Sequence, residues 1–379
     1  MSDLKQKLKQ LRISLEQVGG RQLSAVIGFD GFVDTIIDVV DKRHSFSDYT
    51  RIPTIADFGA RISRAAGLST NIEFVPKTQK LGGNGPIMAN AMLSMGVKVS
   101  YIGALGKPTV NPVFQSLVDG CERVVSLAQP GLTDALEFND GKVMLGKITS
   151  LNEVTWEAMV EALGEEQIKE LFTSRDLVAT VNWTMMPYMN QIWENLLRVL
   201  PANDSPNRPI LFVDLADPEK RKAEDIREAM GLIRRFNSIF RVALGLNRKE
   251  ATEVAEVLGL KLSAPAAEVS VEEITRALAE AMDIWCLMVH PTTAAAAVVD
   301  GEYAYTPGPY TSRPRLTTGA GDNFNAGFCM GLLLGLTVEQ CVMLGTATSG
   351  FYVRNMKSPS FSELKDFVEL WSQYGEVEF

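Results

Sequence analysis

TTGAGDNFNAGF, residues 317–328, sets two threonines and a Gly-Ala-Gly turn ahead of a single carboxylate, and an apolar run continues from it to Leu336. Gly319 and Gly321 permit positive φ and leave their amides uncovered, and the pattern over 323–334 predicts a helix, so several N–H groups converge at a helix N-terminus. Such a turn is an anion site. It can offset the charge that grows on a phosphoryl group leaving a nucleotide, with no lysine-bearing phosphate loop. On that reading Asp322 accepts or orients the proton of an attacking hydroxyl. On the competing reading Asp322 is an N-cap behind a glycine turn.

Outward from this stretch, short β-type runs at 23–29, 98–102, 177–181, 210–214, 239–244 and 285–289 alternate with helical patterns at 87–95, 189–200, 219–235 and 248–258. Such alternation implies right-handed βαβ crossovers and an α/β fold, with a mostly parallel sheet covered on both faces and ligands bound beyond the carboxyl ends of its strands. Two regions break the alternation. Residues 135–148 read as two strands joined by Asp140-Gly141, the chemistry of a tight hairpin turn. Residues 41–80 leave the first strand, carry a short helix at 54–66 and return through the extended run IEFVPK. Together the two excursions predict a small β lid, drawn from about 35–80 and 132–149.

Residues 1–22 read as an N-terminal amphipathic helix with Leu4, Leu8, Leu11 and Leu15 on one face, and lysines throughout exclude a signal-peptide core. The remaining 23–379 form one domain. The most apolar stretch, 326–336, is too short to cross a bilayer and is interrupted by Gly331 and Gly335. A net charge of −9 with no basic block excludes a nucleic-acid partner and leaves a small molecule. Four cysteines without CxxC spacing and only two histidines, His44 and His290, exclude a zinc cluster and a disulfide framework, and place the chain in a reducing cytoplasm. GKVMLGK, 141–147, matches the spacing of a phosphate loop, but Ile148 stands where magnesium needs Ser or Thr and strands surround it, so the match is chance. GAGDNF lacks the third glycine of a dinucleotide fingerprint.

Three ordered motifs carry a resemblance. Thr317, Thr318, Gly319, Ala320, Gly321, Asp322 and Phe324 resemble the second signature of the ribokinase-like (PfkB-type) carbohydrate kinases, with Leu316 in place of its leading aspartate. KLGGNGPIMANAMLSMGVKVSYIGALG, 80–106, is similar to the first signature, although the usual helix asparagine falls on Ile87, between Asn84 and Asn90. LGLNRKEATEV, 244–254, carries the family's Asn-Xaa-Xaa-Glu at Asn247 and Glu250.

The resemblance implies a ribokinase-like fold, with a central mostly parallel sheet, helices on both faces and a small β lid. It implies ATP as donor, Mg2+, Asp322 as base, and the amides of Gly319, Ala320 and Gly321 as anion hole. Asn247 and Glu250 would organise Mg2+, mostly through water; their i, i+3 spacing suits that use and equally a helix capping box. For the acceptor, Asp34 and then Asp30 are the candidates for binding sugar hydroxyls, Gly82 and Gly83 for close backbone approach and Asn84 for a polar contact. Thr318, His290, Thr292, Gly350 and Asn355 are the further nucleotide-side candidates. His290 replaces a glycine-bearing loop and has no catalytic role assigned. Leu316 speaks against monovalent-cation activation.

The function implied is phosphorylation of a hydroxymethyl group on a sugar or sugar-like alcohol. A nucleoside or sugar-phosphate acceptor is the alternative, the latter needing a basic pair among Lys77, Lys80 and Arg51. Another class is a catalytically silent sugar-binding regulatory protein on the same fold. A homodimer joined through the lid stands beside a lid that serves one chain.

Overall fold

Buried strands of four to six residues need partners on both edges, and this chain supplies them in a computed structural model that describes residues 3–18 and 21–379. Residues 1–2 and 19–20 of the expected N-terminal segment lie outside the described residues. In chain order the strands are β1 (Ser24–Phe29), β2 (Phe32–Arg43), β3 (Tyr49–Arg51), β4 (Phe74–Gly82), β5 (Lys98–Gly103), β6 (Arg123–Ser126), β7 (Gly131–Phe138), β8 (Gly141–Lys147), β9 (Leu177–Thr180), β10 (Ile210–Asp214), β11 (Arg241–Leu246), β12 (Cys286–Val289), β13 (Ala294–Val299) and β14 (Glu302–Pro307).

The main sheet runs β14-β13-β12-β11-β10-β9-β1-β5-β6. It is parallel from β6 through β12, and β13 and β14 close it as an antiparallel edge. Alternate side chains feed two cores. Ala25 and Ile27 of β1 and Ile210 and Phe212 of β10 enter one, while Val26, Leu211 and Val213 enter the other. Because the parallel strands all end on one side, Asp30, Asn182, Asp214, Asn247 and His290 emerge there at or just after the ends of β1, β9, β10, β11 and β12.

The small sheet is built on β2, which pairs with β7 in parallel and with β3 and β4 antiparallel, and β8 completes it against β7. Its two faces differ. Ile37, Val39, Leu136 and Phe138 pack with Ile52 and Phe58 under the helix Ile55–Arg64, where the Phe58 and Phe138 rings lie 5.5 Å apart. Phe32, Asp34, Thr133, Met144 and Gly146 face a cavity instead. The hairpin forms one residue earlier than its sequence suggests: Phe138 pairs with Gly141, so Asn139 and Asp140 make the turn. GKVMLGK is the strand β8 and leads into no phosphate-binding helix.

The leucine face of the helix Asp3–Gln17 is buried, with Leu8, Leu11 and Leu15 fully so, and it packs on the C-terminal helix Phe361–Tyr374. Leu8→Ala is expected to cost about 2–4 kcal/mol in urea unfolding, because the neighbouring helix cannot collapse into the void. An unchanged midpoint would show that this helix adds nothing to the fold.

Three helix starts differ from the sequence reading. The helix expected from Ile87 begins at Asn84, that expected from Glu219 begins at Ala223 after a short 3-10 turn, and that expected from Asn323 begins at Ala320. The first and third begin early because polar and glycine residues make up the first turn, where an apolar pattern gives no signal, and the second begins late because Pro218–Lys220 forms a separate 3-10 turn. The strand expected at 239–244 is shifted to Arg241–Leu246 by the 3-10 turn Phe236–Ser238.

Candidate active site

The GAGD turn places Gly319 at the N-cap of the helix Ala320–Leu334, with φ 90°, and so Asp322 is the third residue of the first turn and not the cap. A methyl group at Gly319 would lie 2.8 Å from the Tyr352 hydroxyl, which donates to the Thr318 carbonyl at 2.9 Å. The turn is thus glycine for two reasons, its backbone and its crowding. Ala320 departs from its expected role: its N–H is turned back onto the Thr317 carbonyl (3.1 Å).

Asp322 is buried, 8% exposed, and its Oδ1 accepts from Asn84 Nδ2 at 2.9 Å. Burial, reinforced by the charge of Asp30 and partly offset by the Asn84 bond, pushes its carboxyl up to about 8. Asp30 is fully buried and accepts from the backbone N–H of Asn84 (2.9 Å) and Gly85 (2.8 Å) and from Asn182 Nδ2 (2.6 Å). Burial raises it to about 6 against those three bonds. Asp30 therefore ties down a helix N-terminus and does not line a cavity. Asp34 does, together with Asn84, Thr133, Thr318, Gly319 and Asp322, around about 630 Å³. Burial raises the Asp34 carboxyl, and a Thr133 hydrogen bond and the charges of Lys80 and Lys142 hold it down. Gly82 is needed behind it, since a methyl there would sit 2.5 Å from the carboxylate. Gly83 has φ 94° at the cap of the next helix.

A second cavity of about 890 Å³ opens on the other side of the turn. Asn247, His290, Thr292, Thr317, Ala320, Gly321 and Gly350 line it. Thr318 belongs to the first cavity and not to this one. Asn355 is exposed and donates to the Phe351 carbonyl (2.9 Å), away from both cavities. His290 stacks on Phe324 with ring centres 4.7 Å apart, and burial lowers its imidazole to about 4, so it is neutral at physiological pH.

Asn247 and Glu250 form a reciprocal capping box. Glu250 accepts from Asn247 N–H (2.8 Å) and from Asp217 N–H (2.9 Å), one on each oxygen, and burial raises its carboxyl. A hard cation beside it would be met through the remaining lone pairs or through water. Asp214 is a nearby buried carboxylate that the sequence reading did not name: Oδ2 accepts from Asn325 (3.0 Å), Oδ1 has no protein partner, and burial with the charges of Glu250 and Asp322 raises it strongly. Asn182 and Tyr352 were missed as well. Asp214 ends a buried strand and Asn182 lies just after one, a position that alone marks candidates in a parallel sheet. Nothing local marked Tyr352. Of the basic candidates, Lys77 and Arg51 turn to Asp38 (3.7 and 3.8 Å) and do not line the smaller cavity.

One cavity lies on each side of the glycine turn, with the buried carboxylate on the wall of the smaller, and comparison with known proteins identifies the family. The model of the prokaryotic ketohexokinase family matches residues 5–371. The chain belongs to that family. It is a ribokinase-like carbohydrate kinase. A ketohexokinase of Haloferax volcanii is 28% identical over 358 residues, 94% of this chain and 92% of that one. A 5-dehydro-2-deoxygluconokinase of Shouchella clausii is 37% identical over 82 residues, 19% of this chain and 25% of that one. Among solved structures, Escherichia coli phosphofructokinase-2 in complex with potassium superposes with TM-score 0.64 at 13% identity, covering 93% of this chain and 99% of its own. Arabidopsis thaliana ribokinase complexed with ribose and ATP does so with TM-score 0.61 at 17% identity, covering 92% and 98%. These likenesses show the fold. Among the described residues no helix is long and apolar enough to cross a membrane.

Proposed function

We propose that this kinase transfers the γ-phosphoryl group of ATP to a hydroxymethyl group of a ketohexose. The observation that carries the reading is the position of Asp322, buried on the wall of the smaller cavity and next in the chain to Gly321, which lines the larger one. ATP fits the larger cavity, with its phosphates at the turn, and the sugar fits the smaller one with hydroxyls on Asp34. Asp322 takes the proton of the attacking hydroxyl as the new P–O bond forms in line with the departing ADP oxygen. The amides of Gly319, Gly321 and Asp322 receive the charge of the transferring group. Magnesium, when bound, offsets charge on the nucleotide phosphates, and the hard oxygen donors of Asn247 and Glu250 suit it through water. The Leu316 side chain offers no oxygen to a monovalent cation.

The small sheet closes over the acceptor and keeps water from the phosphate. Its outer face carries the chain's own helix Ile55–Arg64, which supports a lid serving one chain and weighs against a homodimer through that face. ADP release with ATP and Mg2+ against a panel of ketohexoses, aldohexoses, nucleosides and sugar phosphates tests the reading. A ketohexose is expected to lead in kcat/KM by about tenfold or more, the lower end of what pocket contacts achieve between related substrates, with a primary phosphomonoester in the product spectrum. A nucleoside or a sugar phosphate at the head of the ranking would overturn it.

A further inference from the structure

Resting on the reading of Asp322 as base, we propose that Asn84 is its positioning residue: the Asn84 amide holds one oxygen of the carboxylate and leaves the other for the acceptor hydroxyl, and Asp30 fixes Asn84 by tying down the first turn of its helix. Asn84 lines the same cavity as Asp34, where a sugar contact is expected of it, and its side chain also donates to Asp322 Oδ1 at 2.9 Å, across 238 residues of sequence. The helix Asn84–Ser94 has no side-chain cap of its own, since Gly83 holds the N-cap position. Its first two N–H groups go to Asp30, one to each oxygen, and Asn182 adds a third bond to that carboxylate. The Tyr101 hydroxyl fixes the Asp30 carbonyl at 2.7 Å.

A carboxylate serving as an N-cap is ordinary; the burial here is not. Asp30 has no exposed surface and no cationic partner among the described residues, so its three hydrogen bonds are what allow a charge there. Gly83 and Gly85 give those bonds room, since a methyl at either would lie 2.9 Å and 2.6 Å from the Asp30 oxygens. The result is a rigid bracket from Asn182 through Asp30 and the Asn84 backbone to the Asn84 amide. An amide that can only donate through nitrogen fixes which carboxylate oxygen it meets, and that orientation decides where the remaining lone pairs point.

The bracket also tunes the basicity of Asp322, whose carboxyl is raised chiefly by burial. Asp30 and Glu250 raise its carboxyl and the Asn84 bond lowers it. The Asp214 carboxylate and the Tyr352 phenol also feel its charge, Asp34, Asp217 and Lys220 share its cavity, and neutral His290 lies beside Gly321 on the other side.

The test is Asn84→Ala, with Asn84→Ser as the conservative variant that can still donate. Titration of the Asp322 carboxyl by isotope-edited infrared or carbon NMR should show it moved up by about one unit in Asn84→Ala, a tenfold change in the proton equilibrium, and partly restored in Asn84→Ser. In the same variants kcat with ATP and a ketohexose should fall about 10- to 100-fold while sugar affinity by calorimetry stays within about threefold, the split expected when an interaction orients the reacting group and does not bind the substrate. An unmoved carboxyl overturns the proposal whatever the activity. A loss of sugar affinity of about tenfold at unchanged kcat would make Asn84 a sugar contact and overturn it too. If the carboxyl moves and kcat does not, the fault lies with Asp322 as base, which Asp322→Asn tests separately.

Discussion

Asp322→Asn is expected to lower kcat by about 1,000-fold or more, the range removed with a positioned proton acceptor, while ATP and sugar affinities by calorimetry stay within a few-fold. The amide keeps the shape of the carboxylate and can still meet Asn84 through its oxygen, so the loss is of basicity and not of packing. In the wild type the free enzyme should show kcat/KM rising about tenfold per pH unit below the Asp322 titration near 8, because only the ionised carboxyl can accept the proton. Stability runs the other way. Asp322 holds its proton in the fold up to about 8, against an ordinary value of 3.8, so the folded state binds the extra proton between those limits. Its contribution is fully present below the ordinary value and is lost as pH rises through the folded one. Asp322→Asn removes that loss, and its Tm should exceed that of the wild type by a margin that grows from pH 5 to pH 8. Wild-type kcat in the variant would sink the assignment of the base.

Gly319→Ala should lower kcat by about 100-fold, the cost of misplacing one donor of an anion hole. At φ 90° an alanine is strained, and its methyl would press the Tyr352 hydroxyl at 2.8 Å and Ile87 at 3.2 Å. Relief requires the turn to move, and with it the amides of Gly321 and Asp322 that follow. Gly335 supplies the control at the other end of the same helix: its φ is 70°, but no atom lies within 4 Å of an added methyl. Gly335→Ala should cost about 1 kcal/mol of stability from backbone strain and leave kcat unchanged. Equal kcat in the two variants would show that the glycine turn is structural only.

Comparison of these two glycines indicates what was legible locally. The GAGD turn, the Asn-Xaa-Xaa-Glu pair and the Gly-Gly turn are short-range patterns in which each residue acts on backbone within a few positions, and they could be read from the chain alone. So could the strand–helix alternation and the hairpin, since periodicity and turn chemistry are local properties. Helix starts slipped by three or four residues where the first turn is polar, as at Asn84 and Ala320. The sequence ranked Asp34 only narrowly ahead of Asp30 as the aspartate that meets a sugar. Asp30 and Asp34 stand four residues apart, and only the fold sends one to a helix N-terminus and the other to the smaller cavity.

By itself the sequence determined the fold class, the kinase signatures and the carboxylate at their centre, because local backbone chemistry suffices for these. The tertiary structure decided which groups surround that carboxylate. Asn84, Asp30, Asn182 and Asp214 come from segments far apart in the chain, and their effect on Asp322 depends on burial and on distances of a few ångströms. Electrostatic strength in a dry site is set by what is excluded as much as by what is present, and packing, not local pattern, determines exclusion.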